Sequence, residues 1–296
     1  MWYSTAMKSQ QEQNNYSLVD SGEGRKLERF GPYLIDRPCA QAVWKKQLSD
    51  RDWLECDAVF TREGENRWIF RHQLPEMWHI DVSSIAFKIS PTDFGHLGIF
   101  PEQDLFWRWI QERTQAEREK RRRPLNVLNL FAYSGGSTLA AAKGGAQVCH
   151  LDASKGMVAW ARENAALNQL TEAPIRWIVD DAAKFLTREL KRGVRYDAII
   201  LDPPTFGRGA KGELFKIESD LMQLLEQCRS LLTDTPSFLL FSCHTPGFTP
   251  LVMHHTLLQM MDGLKGTIDV GEMVLKGEKG VLPIPSGVFA RWVNES

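Results

Sequence analysis

Four polar side chains stand directly behind short apolar runs. Asp152 follows QVCHL, Asp181 follows IRWIVD, Asp202 follows YDAIIL and Cys243 follows FLLFS. A carboxylate in that position is an acceptor held at the rim of a core, suited to the hydroxyl or amino donors of a ligand, and a thiol there is a candidate nucleophile. Asp202 opens the turn Asp202-Pro203-Pro204-Thr205-Phe206. Two prolines fix the backbone and delete two N–H donors, so the turn offers carbonyl oxygens and one carboxylate as a rigid row of acceptors. Such a row matches the amino or imino edge of a nucleobase, and Phe206 can stack on its face. The plainer alternative is a proline-rich loop with a solvated Asp.

The stretch Leu128–Ala142, LNLFAYSGGSTLAAA, carries Gly135 and Gly136 in a turn where backbone must approach a ligand closely or take positive φ. Its spacing differs from the G-x-G-x-x-G that seats a pyrophosphate on a helix N-terminus, which disfavours a dinucleotide. Asp152 lies where an acidic side chain accepts hydrogen bonds from ribose hydroxyls, about 20 residues beyond such a turn. Asp181 is placed to accept from an adenine amino group. An adenosine-type ligand without a diphosphate fits all three positions, although a glycine turn and a helix-capping Asp are also ordinary punctuation.

These residues need elements to hold them. Apolar runs at Val127–Phe131, Gln147–Asp152, Ile175–Val179, Tyr196–Asp202 and Phe238–Cys243 alternate with amphipathic stretches at Ser137–Lys143, Lys155–Asn168, Ala182–Lys191 and Ile217–Leu232. Short apolar strands joined by helical crossovers predict a parallel sheet covered on both faces. The expected fold class is a doubly wound α/β, Rossmann-like sheet, brought to seven strands by Ile268–Leu275 and Val288–Val293 after a helix at Leu251–Asp262. A helix is expected from about Glu102 to Lys120, closed by the basic run Lys120–Arg123 and Pro124, which reads as a capped helix end or, less simply, as an RNA contact. From Arg29 to Ser90 the text is instead short alternating runs between turn formers, a small mainly β region. The expected organisation is a mobile tail over residues 1–20, a small mainly β domain over 21–93 and the α/β domain over 94–296. Trp2, Trp44, Trp53, Trp68 and Trp78 crowd the first part. They either fill a small core or stack on unpaired bases.

Composition narrows the classes. With 36 Lys and Arg against 37 Asp and Glu, the chain is near neutral, which argues against coating nucleic acid by charge alone. No apolar run reaches membrane length, and a cytoplasmic protein without a membrane partner is expected. The five cysteines, Cys39, Cys56, Cys149, Cys228 and Cys243, form no C-x-x-C pair, so neither disulfides nor a zinc site is indicated. His254-His255 has no carboxylate or thiol to complete a metal set, and no metal is expected.

The ordered set LNLFAYSGG, HLDAS, VDDA and DPPTFGRG resembles the motifs of class I S-adenosylmethionine-dependent methyltransferases. More narrowly, it is similar to the branch with the large-subunit (23S) ribosomal RNA methyltransferases that modify cytosine C5 or guanine N7. The stretch HLGIFPEQ extends the likeness back to about Phe94. The chain is closer to bacterial members of uncharacterised activity carrying F-P-E-Q and D-P-P-x-F-G-R-G, and the small N-terminal RNA-binding domain of the branch is not recognisable. The resemblance implies S-adenosyl-L-methionine as cofactor. Phe131, Tyr133, Ser134 and Gly135 would line its methionine side, Asp152 would bind ribose and Asp181 adenine, and Phe100 and Gln103 would cap the site. Asp202, Pro203, Pro204 and Phe206 would hold the target base, Asp202 also reaching the cofactor.

Cys243 decides between chemistries. Cytosine C5 accepts a methyl group only after a thiolate adds at C6, whereas guanine N7 already has a lone pair and needs only orientation and electrostatics. The C5-methylating relatives carry Ser-Cys-Ser where this chain has Ser242-Cys243-His244. Cys243 is thus either a nucleophile or a small buried hydrophobe. The loop GRGAKGELFK, with Arg208, Lys211 and Lys216, reads as a basic lid or an ordinary surface loop. The expected function is S-adenosylmethionine-dependent methylation of an RNA base, with ribosomal RNA as partner. Methylation of a small molecule or protein, and a non-catalytic RNA-binding protein retaining the fold, are the alternatives.

Overall fold

The computed structural model describes residues 15–209 and 212–295. It divides into two compact units, one up to Asp104 with Val274–Ser286 added, the other Leu105–Met273 with the chain from Gly287 on. The segment from Phe94 to Asp104 therefore goes with the first unit, later than the boundary expected near Phe94.

The first unit holds β1 (Tyr16–Gly22), β2 (Arg25–Phe30), β3 (Tyr33–Pro38), helix α1 (Asp50–Leu54), β4 (Ala58–Thr61) and β5 (Arg67–Phe70), with the strands ordered β1-β2-β3-β4-β5 in one sheet. A separate hairpin pairs β6 (Trp78–Val82) with β7 (Ile85–Ile89). The tail expected over residues 1–20 is corrected here, because residues 16–20 form a strand; residues 1–14 lie outside the described residues. Acidic residues of β1 and β2 are buried and paired. Asp20, 1% exposed, accepts from the backbone N–H of Ser21, Gln47 and Leu48 and from Trp53 Nε1 at 2.9 Å. Glu28, wholly buried on β2, takes Arg37, Lys26 and the Tyr16 hydroxyl. Burial alone would raise the Glu28 carboxyl, but the two cations outweigh it and hold it below its ordinary value. The tryptophans fill this core, with indole N–H groups satisfied at Ser21, Asp20, Thr92 and Phe30 for Trp44, Trp53, Trp68 and Trp78; Trp2 lies outside the described residues.

The second unit begins with α2 (Asp104–Arg121), which a 3-10 turn at Pro101–Gln103 introduces. There follow β8 (Asn126–Leu130), α3 (Gly136–Lys143), β9 (Gln147–Asp152), α4 (Lys155–Leu167), β10 (Ile175–Val179), α5 (Ala182–Lys191) and β11 (Ala198–Leu201). A small hairpin of β12 (Phe206–Arg208) and β13 (Leu214–Lys216) leads to α6 (Ile217–Leu231), β14 (Phe238–Cys243), α7 (Pro250–Met260), β15 (Gly266–Leu275) and β16 (Ile284–Asn294). The sheet order is β10-β9-β8-β11-β14-β16-β15, seven strands, with β16 antiparallel to β14. Its middle strands are sheathed on both faces, so β11 reads AIIL with every residue buried. Chain order reverses between β8 and β11, where Leu130 lies opposite Leu201, and Leu201 opposite Phe241 of β14. That reversal opens a crevice at the carboxyl ends of the strands.

The basic run after α2 is built into the fold. Arg121 and Arg123 both reach Asp197, at 3.4 and 2.7 Å, and Arg121 also donates to the Thr235 carbonyl. Burial pushes the Asp197 carboxyl up, but its bonds from Arg123 and the Asn126 N–H outweigh this and leave it below its ordinary value. No helix among the described residues is long and apolar enough to cross a membrane.

Candidate active site

The loop after β8 is bent by its own residues. Phe131, Tyr133 and Gly135 alternate in the left-handed region, with φ of 56°, 48° and 94°. Two non-glycine residues held there store strain of the kind found where backbone is shaped for a ligand. Gly135 needs the region, and a Cβ on it would stand 3.0 Å from Ala161 of α4. Gly136 answers to packing alone, since a Cβ there would strike the Trp107 indole at 2.6 Å. The buried Asn164 ties α4 to the loop by donating to the Ser134 carbonyl.

Asp152 closes the loop from β9. Its Oδ2 accepts from the Tyr133 N–H and its Oδ1 from the Ser154 N–H, both at 2.9 Å. Burial raises its carboxyl, and these two backbone donors pull against that rise. Each oxygen retains a further lone pair, which is what a ribose diol requires. Asp181 caps α5, with Oδ1 accepting from the Lys184 N–H at 2.9 Å, so its structural role is real and leaves acceptor capacity over. Its neighbour Asp180 is engaged by Arg188.

The turn after β11 stands across the crevice from these groups. Pro203 is buried, and Pro204, Thr205 and Phe206 are exposed, Phe206 by 51%. Thr205 Oγ1 meets Thr245 Oγ1 at 2.8 Å, clamping this turn to the one after β14. Phe215 of β13 packs on Phe131, their ring centroids 5.5 Å apart, and Lys184 pairs with Glu213, so the β12–β13 hairpin is fastened to the same tips. Lys211 lies outside the described residues.

Cys243 ends β14 with no exposed surface. Burial pushes its thiol above the ordinary value; bonds to Thr245 act the other way, and the Asp202 carboxylate adds to the rise. His244 turns toward Asp202, its Nε2 at 3.5 Å from Oδ2.

The structure thus gathers Phe131, Tyr133, Ser134, Gly135, Asp152, Asp181, Asp202, Pro203, Pro204, Phe206 and Cys243 at the carboxyl edge of one sheet. Phe100 and Gln103 belong to the first unit, where Phe100 lines a cleft of about 130 Å³ with Lys26, Arg37 and Arg62. A larger cleft of about 450 Å³ in the second unit opens among Gln147, Ile175 and Tyr196. It lies at the amino ends of β9 and β10, the wrong end for this chemistry. The sequence reading missed a polar chain beneath the glycine turn. Asn129 Nδ2 donates to Thr138 Oγ1, which meets His150 Nδ1 at 2.9 Å, all three buried. Burial lowers the His150 pKa to about 3, the Arg162 charge adding to the effect, so the ring is neutral. A polar residue inside each of two apolar strands was the available signal.

A strand order with its switch point at a strained glycine turn, a carboxylate at the end of the next strand and no pyrophosphate fingerprint are features of a Rossmann-like fold suited to a nucleoside without a diphosphate. The chain belongs to the S-adenosylmethionine-dependent methyltransferase family, whose sequence pattern matches residues 45–258. It is 39% identical to the SAM-dependent methyltransferase of Agrobacterium tumefaciens, whose crystal structure covers 95% of this chain and 91% of that one with a TM-score of 0.90. A second crystal structure, of the SMU.776 methyltransferase complexed with SAH, shares the fold at 20% identity and a TM-score of 0.76, covering 99% of this chain and 79% of that one. Among curated relatives, the ribosomal RNA large subunit methyltransferase K/L of Pseudoalteromonas translucida is 33% identical over 63% of this chain. The match spans only 25% of that relative's length. S-adenosylmethionine is accordingly the cofactor, and the acceptor set of Asp152 with the bent loop fits it.

Proposed function

We propose that this enzyme methylates a base of RNA, in ribosomal RNA by kinship with the large-subunit methyltransferases, at a ring nitrogen such as guanine N7. The observation that carries the reading is the pairing at the β11 and β14 tips. An acceptor-rich turn with an exposed aromatic ring suits a base, while the one nearby thiol is buried, which favours its neutral form. A neutral, enclosed thiol is a poor partner for cytosine C6.

In this reading Asp152 orients the ribose, Asp181 the adenine, and the 131–135 backbone the amino-acid end. Asp202 and the carbonyls around Pro203 and Pro204 take the imino and amino edge of the base, and Phe206 stacks on it. When bound, S-adenosylmethionine supplies an electrophilic methyl group: the acceptor's lone pair forms the new bond, the electron pair of the broken carbon–sulfur bond stays on sulfur, and the positive charge passes to the base. Asp202 is the charge placed to favour that transfer. Cys243→Ala tests the choice of atom. It should retain turnover within about threefold and form no adduct with 5-fluorocytosine RNA, whereas a loss of about a thousandfold would restore the thiolate route.

A further inference from the structure

His244 occupies a place in the fold that the methyl-transfer scheme above leaves without a task. It follows β14 directly, and the ring reaches across to the β11 tip, where Nε2 stands 3.5 Å from Asp202 Oδ2. Its other side lies over β16 at Gly287: a Cβ built there would come within 3.0 Å of His244 Nδ1, 2.8 Å of the Cys243 carbonyl and 2.5 Å of Met273 Cε. Gly287 has φ of 125°, so the missing side chain and the unusual backbone together make the space in which the ring lies. The ring is about a third exposed and the Asp202 carboxylate about a quarter. Both are within reach of solvent protons, yet close enough to interact.

Asp202 reaches the ring from the β11 turn, and the uncharged Gly287 of β16 lies beside its other nitrogen with Met273 of β15 close by. Asp202 stands at ion-pair distance from this imidazole. We propose that His244 is a positioning residue that sets the working charge of Asp202: its neutral form orients the carboxylate toward the base, and its protonated form cancels the carboxylate's field. The inference rests on the reading that Asp202 holds the methyl acceptor. Transfer to a ring nitrogen puts positive charge on the base, so a carboxylate beside it stabilises the transition state more than the ground state. An imidazolium at ion-pair distance opposes that stabilisation. Guanine N7 has no proton to lose, so in transfer to that atom the pair has no proton-transfer step to perform, and its contribution is electrostatic. Of the side chains that titrate unperturbed between pH 5 and 8, histidine is the one that makes this control physiological.

The test is the pH dependence of methyl transfer to ribosomal RNA by the full chain at saturating S-adenosylmethionine. Wild-type kcat should fall about tenfold from about pH 8 to about pH 6, and His244→Gln, which keeps a donor for Asp202 without titrating, should fall by less than about twofold. A double-mutant cycle adds a second readout. His244→Ala should lower kcat about tenfold in the wild-type background and less than about twofold in an Asp202→Asn background, because the residue acts through that carboxylate. Cofactor affinity measured by calorimetry on each variant establishes that it is folded. An acid limb that survives in His244→Gln, or equal losses in both backgrounds, would overturn the proposal while leaving RNA methylation standing. Failure of the underlying reading shows differently, as no methyl transfer by the wild-type chain at any pH, and it overturns the role of His244 as well.

Discussion

In the proposed reading Asp152 carries more than one duty, bracing the backbone and holding a ribose. Its two oxygens brace the backbone of the 131–135 loop from one side and of the α4 N-terminus from the other. A ligand diol then meets a carboxylate that is already fixed, with little rotamer freedom left to lose. Asp152→Ala should weaken S-adenosylmethionine binding about tenfold to a hundredfold by calorimetry, the range expected for hydrogen bonds to a charged group. Unchanged affinity would remove the ribose role. Cys243 was legible as a position and not as a chemistry. Sequence placed it at a strand tip, but whether a thiol ionises depends on burial and on the sign of its neighbours, which only the packed structure supplies.

At the scale of elements, the α/β half could be read almost directly. Strands such as Ala198–Leu201 are buried on both faces, so their apolar letters are continuous, and the helices between them carry capping residues such as Ser154, Asp181 and Thr249. The elements that escaped are those whose polar residues are inside. β1 and β2 bury Asp20 and Glu28, and the basic run Lys120–Arg123 spends two of its arginines on Asp197. The chain Asn129–Thr138–His150 knits β8, α3 and β9 together beneath the glycine turn, and it has a measurable signature. In the unfolded chain His150 binds a proton near its ordinary value, but in the fold it does so only near pH 3. Below about pH 6.5 the unfolded state therefore holds the extra proton, and stability falls with pH by up to about 1.4 kcal/mol per unit from this residue. Denaturant titrations of wild type and His150→Phe between about pH 7 and about pH 4 should differ in slope by about that amount. Parallel slopes would mean that the ring is protonated in the fold.

At the scale of the whole molecule, near-neutral charge takes on a definite meaning. The sequence shows 36 cations against 37 anions, and several of the cations are already committed, Arg121 and Arg123 to Asp197 and Arg37 to Glu28. Arg208 and Lys216, on the hairpin beside the DPPTF turn, remain placed for a phosphate backbone. RNA affinity should then be modest, with log K falling against log salt at a slope no steeper than about −3, the value for some four phosphate contacts on a single strand. A much steeper slope would mean a broader basic contact than Arg208, Lys216 and their neighbours supply. The central claim, that this chain methylates a ring nitrogen of an RNA base, is tested most directly by nucleoside mass spectrometry. Unmodified large-subunit ribosomal RNA would be incubated with the protein and isotopically labelled S-adenosylmethionine, then digested to nucleosides. The account predicts label in a ring-nitrogen-methylated purine, 7-methylguanosine foremost. Label in 5-methylcytidine, or none in any RNA nucleoside, would contradict it.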